Sequence, residues 1–242
     1  MRKLFLVALT LMVSGVVMAQ SDSTVKRNML SSRGLPKGND HFMVQVGYTQ
    51  WSGTPDTVNT GGIPRSLNIY FMMAFPFRTN PHLSAAIGLG VGSDNIFFKN
   101  TEIGIRDNNS TITFRNVADT NHFKKYKLTT DYLEVPLELR WTARPEDDAH
   151  SFKVALGVKV GLLLNAKTKG KTLQDRAGNT INDYKEKEFS KRFFNSQRLV
   201  AHGRIGYGHF GLFASYQVSQ VFKENLGPNV HPFTIGFTLT GL

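Results

Sequence analysis

The sequence predicts an all-β fold: an eight-stranded antiparallel transmembrane β-barrel, built as an up-and-down meander with long extracellular loops. Three observations predict it. Asp131 to Trp141 alternates strictly, with Leu133, Val135, Leu137, Leu139 and Trp141 in one column and Tyr132, Glu134, Pro136, Glu138 and Arg140 in the other. A period of two is the signature of a strand with one apolar and one polar face. Seven further stretches repeat the pattern over about 10–13 residues each, close to what a tilted strand needs to cross a bilayer. The connections between them are alternately short and long, as in an even barrel with turns on the periplasmic face and loops outside.

The large apolar column is expected to face lipid and the small or charged column a narrow lumen. A water-soluble barrel would turn these columns the other way. It would then expose Ala86, Gly88, Gly90, Gly92, Gly157 and Gly161 to water. It would also crowd bulky side chains into an interior with little room for them.

The N-terminus sets the compartment. Arg2 and Lys3 precede an apolar run, Leu4 to Val17, and Val17-Met18-Ala19 has the small-x-small form of a signal cleavage site. Residues 1–19 therefore read as a signal peptide cut between Ala19 and Gln20. The chain contains no Cys, so neither a lipidated cysteine nor a disulfide is available to it. No later stretch is long and apolar enough for a spanning helix, and a closed barrel is the form in which strands alone cross lipid. The expected location is the outer membrane of a Gram-negative bacterium, with both termini periplasmic.

Residues 20–40 are polar and aperiodic, a flexible periplasmic lead-in to a barrel domain of residues 41–242. The first strand, His41 to Trp51, points Phe42, Val44, Val46 and Tyr48 outward. The second, Ser66 to Phe77, follows a Gly/Pro-rich loop, and Arg78 to Pro81 makes a tight turn. His82 to Gly92 sets Leu83, Ala85, Ile87, Leu89 and Val91 against Ser84, Ala86, Gly88, Gly90 and Gly92. Ser93 to Leu128 reads as a long polar loop with a hairpin across Asp107 to Ser110. After the fourth strand comes a short charged turn, then the fifth strand, Phe152 to Leu164. A second long loop, Asn165 to Ser196, turns around Asp175 to Asn179. Gln197 to Tyr207, Phe210 to Phe222 and Pro232 to Leu242 complete the eight. Trp51, Trp141, Tyr48, Tyr207, Phe77 and Phe222 fall near strand ends, where an aromatic girdle would sit.

The formal charge is +11, of which Arg2 and Lys3 leave with the signal. No nucleic-acid module accompanies it, and export argues against that partner. Part of the excess lies in the second long loop, where Lys167, Lys169, Lys171, Arg176, Lys185, Lys187, Lys191 and Arg192 outnumber Asp175, Asp183, Glu186 and Glu188. Such a loop suits anionic lipid headgroups, an acidic partner, or plain solvation.

Charges turned into a narrow lumen must be paired. Folding the fourth strand onto the fifth brings Glu138 toward Lys153 and Glu134 toward Lys159. The expected lumenal network is Glu134, Glu138, Arg140, Lys153, Lys159 and Arg204, a structural plug. Pro136 removes a ladder donor, and with no edge in a closed barrel it predicts a local bulge. Among the seven histidines, His202 alone combines a lumenal position with a nearby Glu. No Gly-x-Ser-x-Gly, metal-spaced His pair or phosphate loop occurs. No catalytic, cofactor or metal residues are therefore assigned.

Tyr132 to Arg140 (Tyr-Leu-Glu-Val-Pro-Leu-Glu-Leu-Arg), with Gly157-Val158-Lys159-Val160-Gly161-Leu162, resembles the bacteroidete-type outer-membrane β-barrel family often termed PorT-like. The resemblance implies an eight-stranded outer-membrane barrel. It associates one class of members with type IX secretion machinery. The long loops match no assigned motif, and the sequence ends Thr-Gly-Leu242 instead of on the aromatic common in such barrels, which leaves the assembly signal to Phe237 and Leu239. The expectation is a non-enzymatic barrel with a structural or accessory role in protein secretion or surface assembly. Its partners would be outer-membrane lipid and envelope or secretion-machinery proteins. An outer-leaflet lipid-modifying or proteolytic enzyme and a narrow transporter are the alternatives.

Overall fold

The structure, a computed structural model, describes residues 39–55 and 58–241. The expected signal peptide, its expected Ala19–Gln20 cleavage site, the expected lead-in before Asn39 and Leu242 lie outside the described residues. Among the described residues there are eleven strands: β1 Asn39–Ser52, β2 Arg65–Pro76, β3 Leu83–Phe98, β4 Thr101–Gly104, β5 Thr113–Asn116, β6 His122–Thr142, β7 Phe152–Gln174, β8 Thr180–Phe189, β9 Gln197–Tyr207, β10 Phe210–Gln217 and β11 His231–Thr240. Eight of them close a ring in the order β1-β2-β3-β6-β7-β9-β10-β11, with β11 returning antiparallel to β1 through Met43↔Thr240 to Ser52↔His231. The fold is thus the eight-stranded antiparallel barrel that the alternation predicts.

The columns sort as their chemistry demands. Leu137, Leu139, Leu156, Val158, Val160, Ile235 and Phe237 are exposed on the outer wall, while Gln45, Asn68, Glu134, Glu138 and Lys159 are buried inside. Residues 77–82, residues 143–151 and Gly208-His209 connect strands at one end, where β1 also begins and β11 ends. Gly208, with φ of 57°, supplies the left-handed residue that a two-residue hairpin requires.

Several boundaries differ from the periodicity reading. β1 starts at Asn39, two residues inside the expected lead-in. β10 ends at Gln217, short of Phe222. β3, β6 and β7 run on into the two segments read as long polar loops: β6 begins at His122 and β7 ends at Gln174. The cause in β7 is a bulge. Tyr132 pairs Leu163, but Asp131 pairs Asn165, so Leu164 is extra. Below it the even-numbered residues Leu156 to Leu164 face out; above it the odd-numbered Lys167, Lys169 and Lys171 do, and Ala166 and Thr168 are buried. A single-period scan stops where the parity breaks.

The expected bulge at Pro136 is absent. The β3–β6 register is the same on both sides of it, Ile87↔Leu137 and Gly90↔Glu134, with the two intervening pairs missing from the ladder. Pro136 keeps its place opposite Lys159 on β7. The lost donor therefore faces β3, where Gly88 leaves space for the ring: a Cβ at Gly88 would stand 3.0 Å from Pro136 Cγ.

Candidate functional site

The inward columns of the eight ring strands build a filled lumen with two charge clusters. Nearer the short-turn end, Glu138 is the shared acceptor. It takes hydrogen bonds from Arg140 Nε at 2.7 Å, His202 Nε2 at 3.0 Å and Arg204 Nη2 at 3.0 Å. These residues come from β6 and β9, which flank β7, and Glu138 reaches across Gly157, its β7 register partner. The second cluster lies toward the long-loop end. Arg198 pairs with Glu134 and, through Nη1, with Asp94 at 2.6 Å. Tyr70 donates its hydroxyl to the other oxygen of Glu134. Lys159 Nζ donates to Gln45 Oε1 at 3.0 Å and to the Tyr70 hydroxyl at 3.1 Å, over the Tyr70 ring.

Glycine makes the second cluster possible. A Cβ at Gly92 would stand 2.7 Å from Glu134 Oε2, and one at Gly161 would stand 2.9 Å from Arg198 Cγ. The small-residue column on the lumenal face is the space that long charged side chains fill. The remaining internal spaces include one of about 20 Å³ beside Lys159 and Arg198 and one of about 90 Å³ at the short-turn mouth, lined by Arg140, Lys153 and Arg204.

Of the six residues expected to form the network, Glu138, Arg140 and Arg204 meet directly. Glu134 and Lys159 are linked through Tyr70. Lys153 stands opposite Thr142 at the mouth, four positions along β7 from Gly157, which faces Glu138. Arg198 and Asp94 complete the upper cluster and were not expected there. Arg198 shares the inward column of His202 and Arg204; Asp94 lies in the part of β3 beyond Gly92, where the apolar alternation stops.

Above the lumen the long connections form a second structure. Val58, Ile96, Phe98, Ile103, Ile105, Ile112, Phe193, Phe194, Val221 and Phe222 are buried together in one apolar core, with Trp51 and Tyr126. Phe222 is its hub, packing edge-on against Trp51 at 5.8 Å and tilted against Phe194 at 5.2 Å. Trp51 and Phe222 are therefore not girdle residues. They point into this cap, Trp51 with 7% of its surface exposed, whereas Trp141, Tyr48, Tyr207 and Phe77 face outward. Backbone bonds tie the loops together, among them Gly61 N–H to Phe97 O at 2.9 Å and Ile112 N–H to Leu226 O at 2.8 Å. The Tyr126 hydroxyl donates to Ile103 O at 3.1 Å, and burial pushes its phenol up to about 12. The β4–β5 hairpin, expected around Asp107 to Ser110, packs Ile103 into this core instead of projecting freely.

A ring of eight strands with an outward apolar band, a polar filled lumen and a folded cap defines an outer-membrane barrel. The chain belongs to the outer membrane protein beta-barrel domain family, whose model matches residues 21–227. Among solved structures it is similar to Ail, the attachment invasion locus protein of Yersinia pestis, in a complex with the heparin analogue sucrose octasulfate (14% identity, TM-score 0.33, covering 84% of this chain and 99% of that one). It is also similar to Neisserial surface protein A (11% identity, TM-score 0.34, covering 84% and 96%). The translocator domain of the autotransporter NalP from Neisseria meningitidis is a further match (12% identity, TM-score 0.24, covering 96% of each chain). No curated protein sequence matches the chain.

Proposed function

We propose that this chain is a pore-less, non-enzymatic outer-membrane barrel that acts through its cap. Its role is structural or accessory, in protein secretion or in assembly at the cell surface, as the PorT-like resemblance implies. In this reading the short turns and both ends of the barrel face the periplasm, and the cap faces outward. The observation that carries it is the shared apolar core of the long connections, which turns four separate loops into one fixed surface. A fixed surface loses little conformational freedom when it docks a partner. The lumen beneath it is occupied by ion pairs, and the space of about 20 Å³ beside Lys159 and Arg198 has room for only about one or two waters.

The enzymatic alternative would use His202, which contacts Glu138 and faces Ser215 across the β9–β10 ladder. The His202 side chain is completely enclosed, so neither a lipid nor a peptide reaches it from the outer leaflet. The test compares exported and surface proteins between the parent strain and a strain lacking this chain. Loss of a set of exported proteins, with precursors held in the periplasm, is the expected result. An unchanged set of exported proteins with a weakened envelope would remove the secretion role and leave the structural one. Planar-bilayer conductance of the purified barrel is expected to stay at the baseline.

A further inference from the structure

Where β6 and β7 rise past the lipid-facing band, β8 pairs with β7 and widens the wall. Its outer face carries two cross-strand rows of lysine. Lys127, Lys169 and Lys187 stand opposite one another in the first row, and Lys125, Lys171 and Lys185 in the second. Like charges directly opposite across a ladder repel, and adjacent strands are only about 4.8 Å apart. Nearby acids do not cancel the array. Asp131 is taken by Lys167 at 2.9 Å, and Asp183, held by Thr172 at the far end of the β8 column, is one carboxylate against six lysines. Glu186 and Glu188 alternate onto the opposite face of β8. Burial, then the charges of Lys169, Lys167 and Arg65, holds the Lys127 ammonium below its ordinary range.

We propose that this lysine grid binds the phosphorylated headgroups of outer-leaflet lipid. Two features choose that occupant. The grid continues the wall whose outward column is aliphatic as far as Leu164, so whatever meets it lies directly above the hydrocarbon. At about 3.3 Å per residue along tilted strands, the rows stand on the order of 10–20 Å beyond Leu164. Lysine stems lie along apolar surface and reach toward headgroups; Phe97 and the exposed Phe189 supply such surface beside the rows. Phosphate oxygens set between rows replace repulsion by charge-assisted hydrogen bonds. The inference rests on the cap facing outward.

The probe is bisphosphorylated lipid A, titrated into the full-length protein in neutral detergent against dephosphorylated lipid A, with bound lipids counted by native mass spectrometry. Binding of the phosphorylated form at roughly tenfold lower concentration is expected, and K127Q/K169Q/K187Q should abolish that preference. The triple substitution removes repulsion, so its urea midpoint should equal or exceed the parent's; Lys169→Gln alone, at the centre of its row, should show a partial loss. Equal binding of the two lipids, or a preference that survives the triple substitution, overturns the inference and leaves an acidic polypeptide as the match for the charge. Orientation is checked separately. The chain has no Cys, so Ala177→Cys in the β7–β8 turn should react with an impermeant maleimide on intact cells. Reaction only after permeabilisation overturns the outward cap and this inference together; surface labelling with phosphate-blind binding overturns this inference alone.

Discussion

The two halves of β7 obey opposite rules. From Phe152 to Leu164 the strand is apolar outside and polar inside, with Leu156 and Val160 exposed and Lys159 buried. From Asn165 to Gln174 it is charged outside and packed inside, with Lys171 exposed and Ala166 buried. The same backbone ladder serves both, so the reversal is imposed by solvent. Lipid offers nothing to a polar group, and polar groups in the lower half must therefore satisfy one another within the wall. In the upper half water takes the polar face, and an ordinary hydrophobic core can form. Stability accordingly rests on ion pairs below and on aromatic packing above.

This contrast can be broken from either side. The largest effect is expected at Phe222, the hub of the cap: Phe222→Ala should cost about 4 kcal/mol of cap stability. Limited proteolysis should then cut within residues 99–121 and 218–230 while the ring strands stay protected. Below, Glu134→Gln leaves Arg198 and Lys159 with weakened compensation in a closed lumen. A loss of about 3 kcal/mol is expected, read as a lower urea midpoint of the refolded barrel; an unchanged midpoint would mean the upper cluster contributes nothing. Val158→Arg places a charge at the middle of the lipid-facing column and should cost about 2 kcal/mol in lipid vesicles, whereas the same change at exposed Lys171 should cost almost nothing. The smallest effect has the opposite sign. Lys169→Gln should stabilise the protein by about 0.5 kcal/mol in neutral detergent, and added salt should shrink the gain.

How much of this the amino-acid sequence reveals follows the same division. The lipid-facing half was legible because every residue there answers one question, in or out, and strict alternation records the answer. Glu138, Arg140 and Arg204 could be placed together from parity alone. The cap was not legible. Its core gathers Val58, Ile112, Phe194 and Val230 from connections far apart in the chain, each contributing too few apolar residues to show a period, and Ile96 from the far end of β3. Asp94 and Lys169 lie in strand extensions whose outward columns turn polar, which reads as loop when polarity is taken for irregularity. Pro136 misled for a different reason. Its ring does remove a ladder donor, but Gly88 across the ladder accepts that ring without a register shift.

The extra residue at Leu164 works as a phase shifter. Below it the chain is read in one frame and above it in the other, so each half can be revised without rewriting its neighbour. Flattening the bulge with Leu164 kept in the ladder would force both halves into a single frame. Lys167, Lys169 and Lys171 would then turn toward the cap core, and Ala166, Thr168 and Gly170 would line the outside. One residue thus holds apart two surface codes written on the same strand.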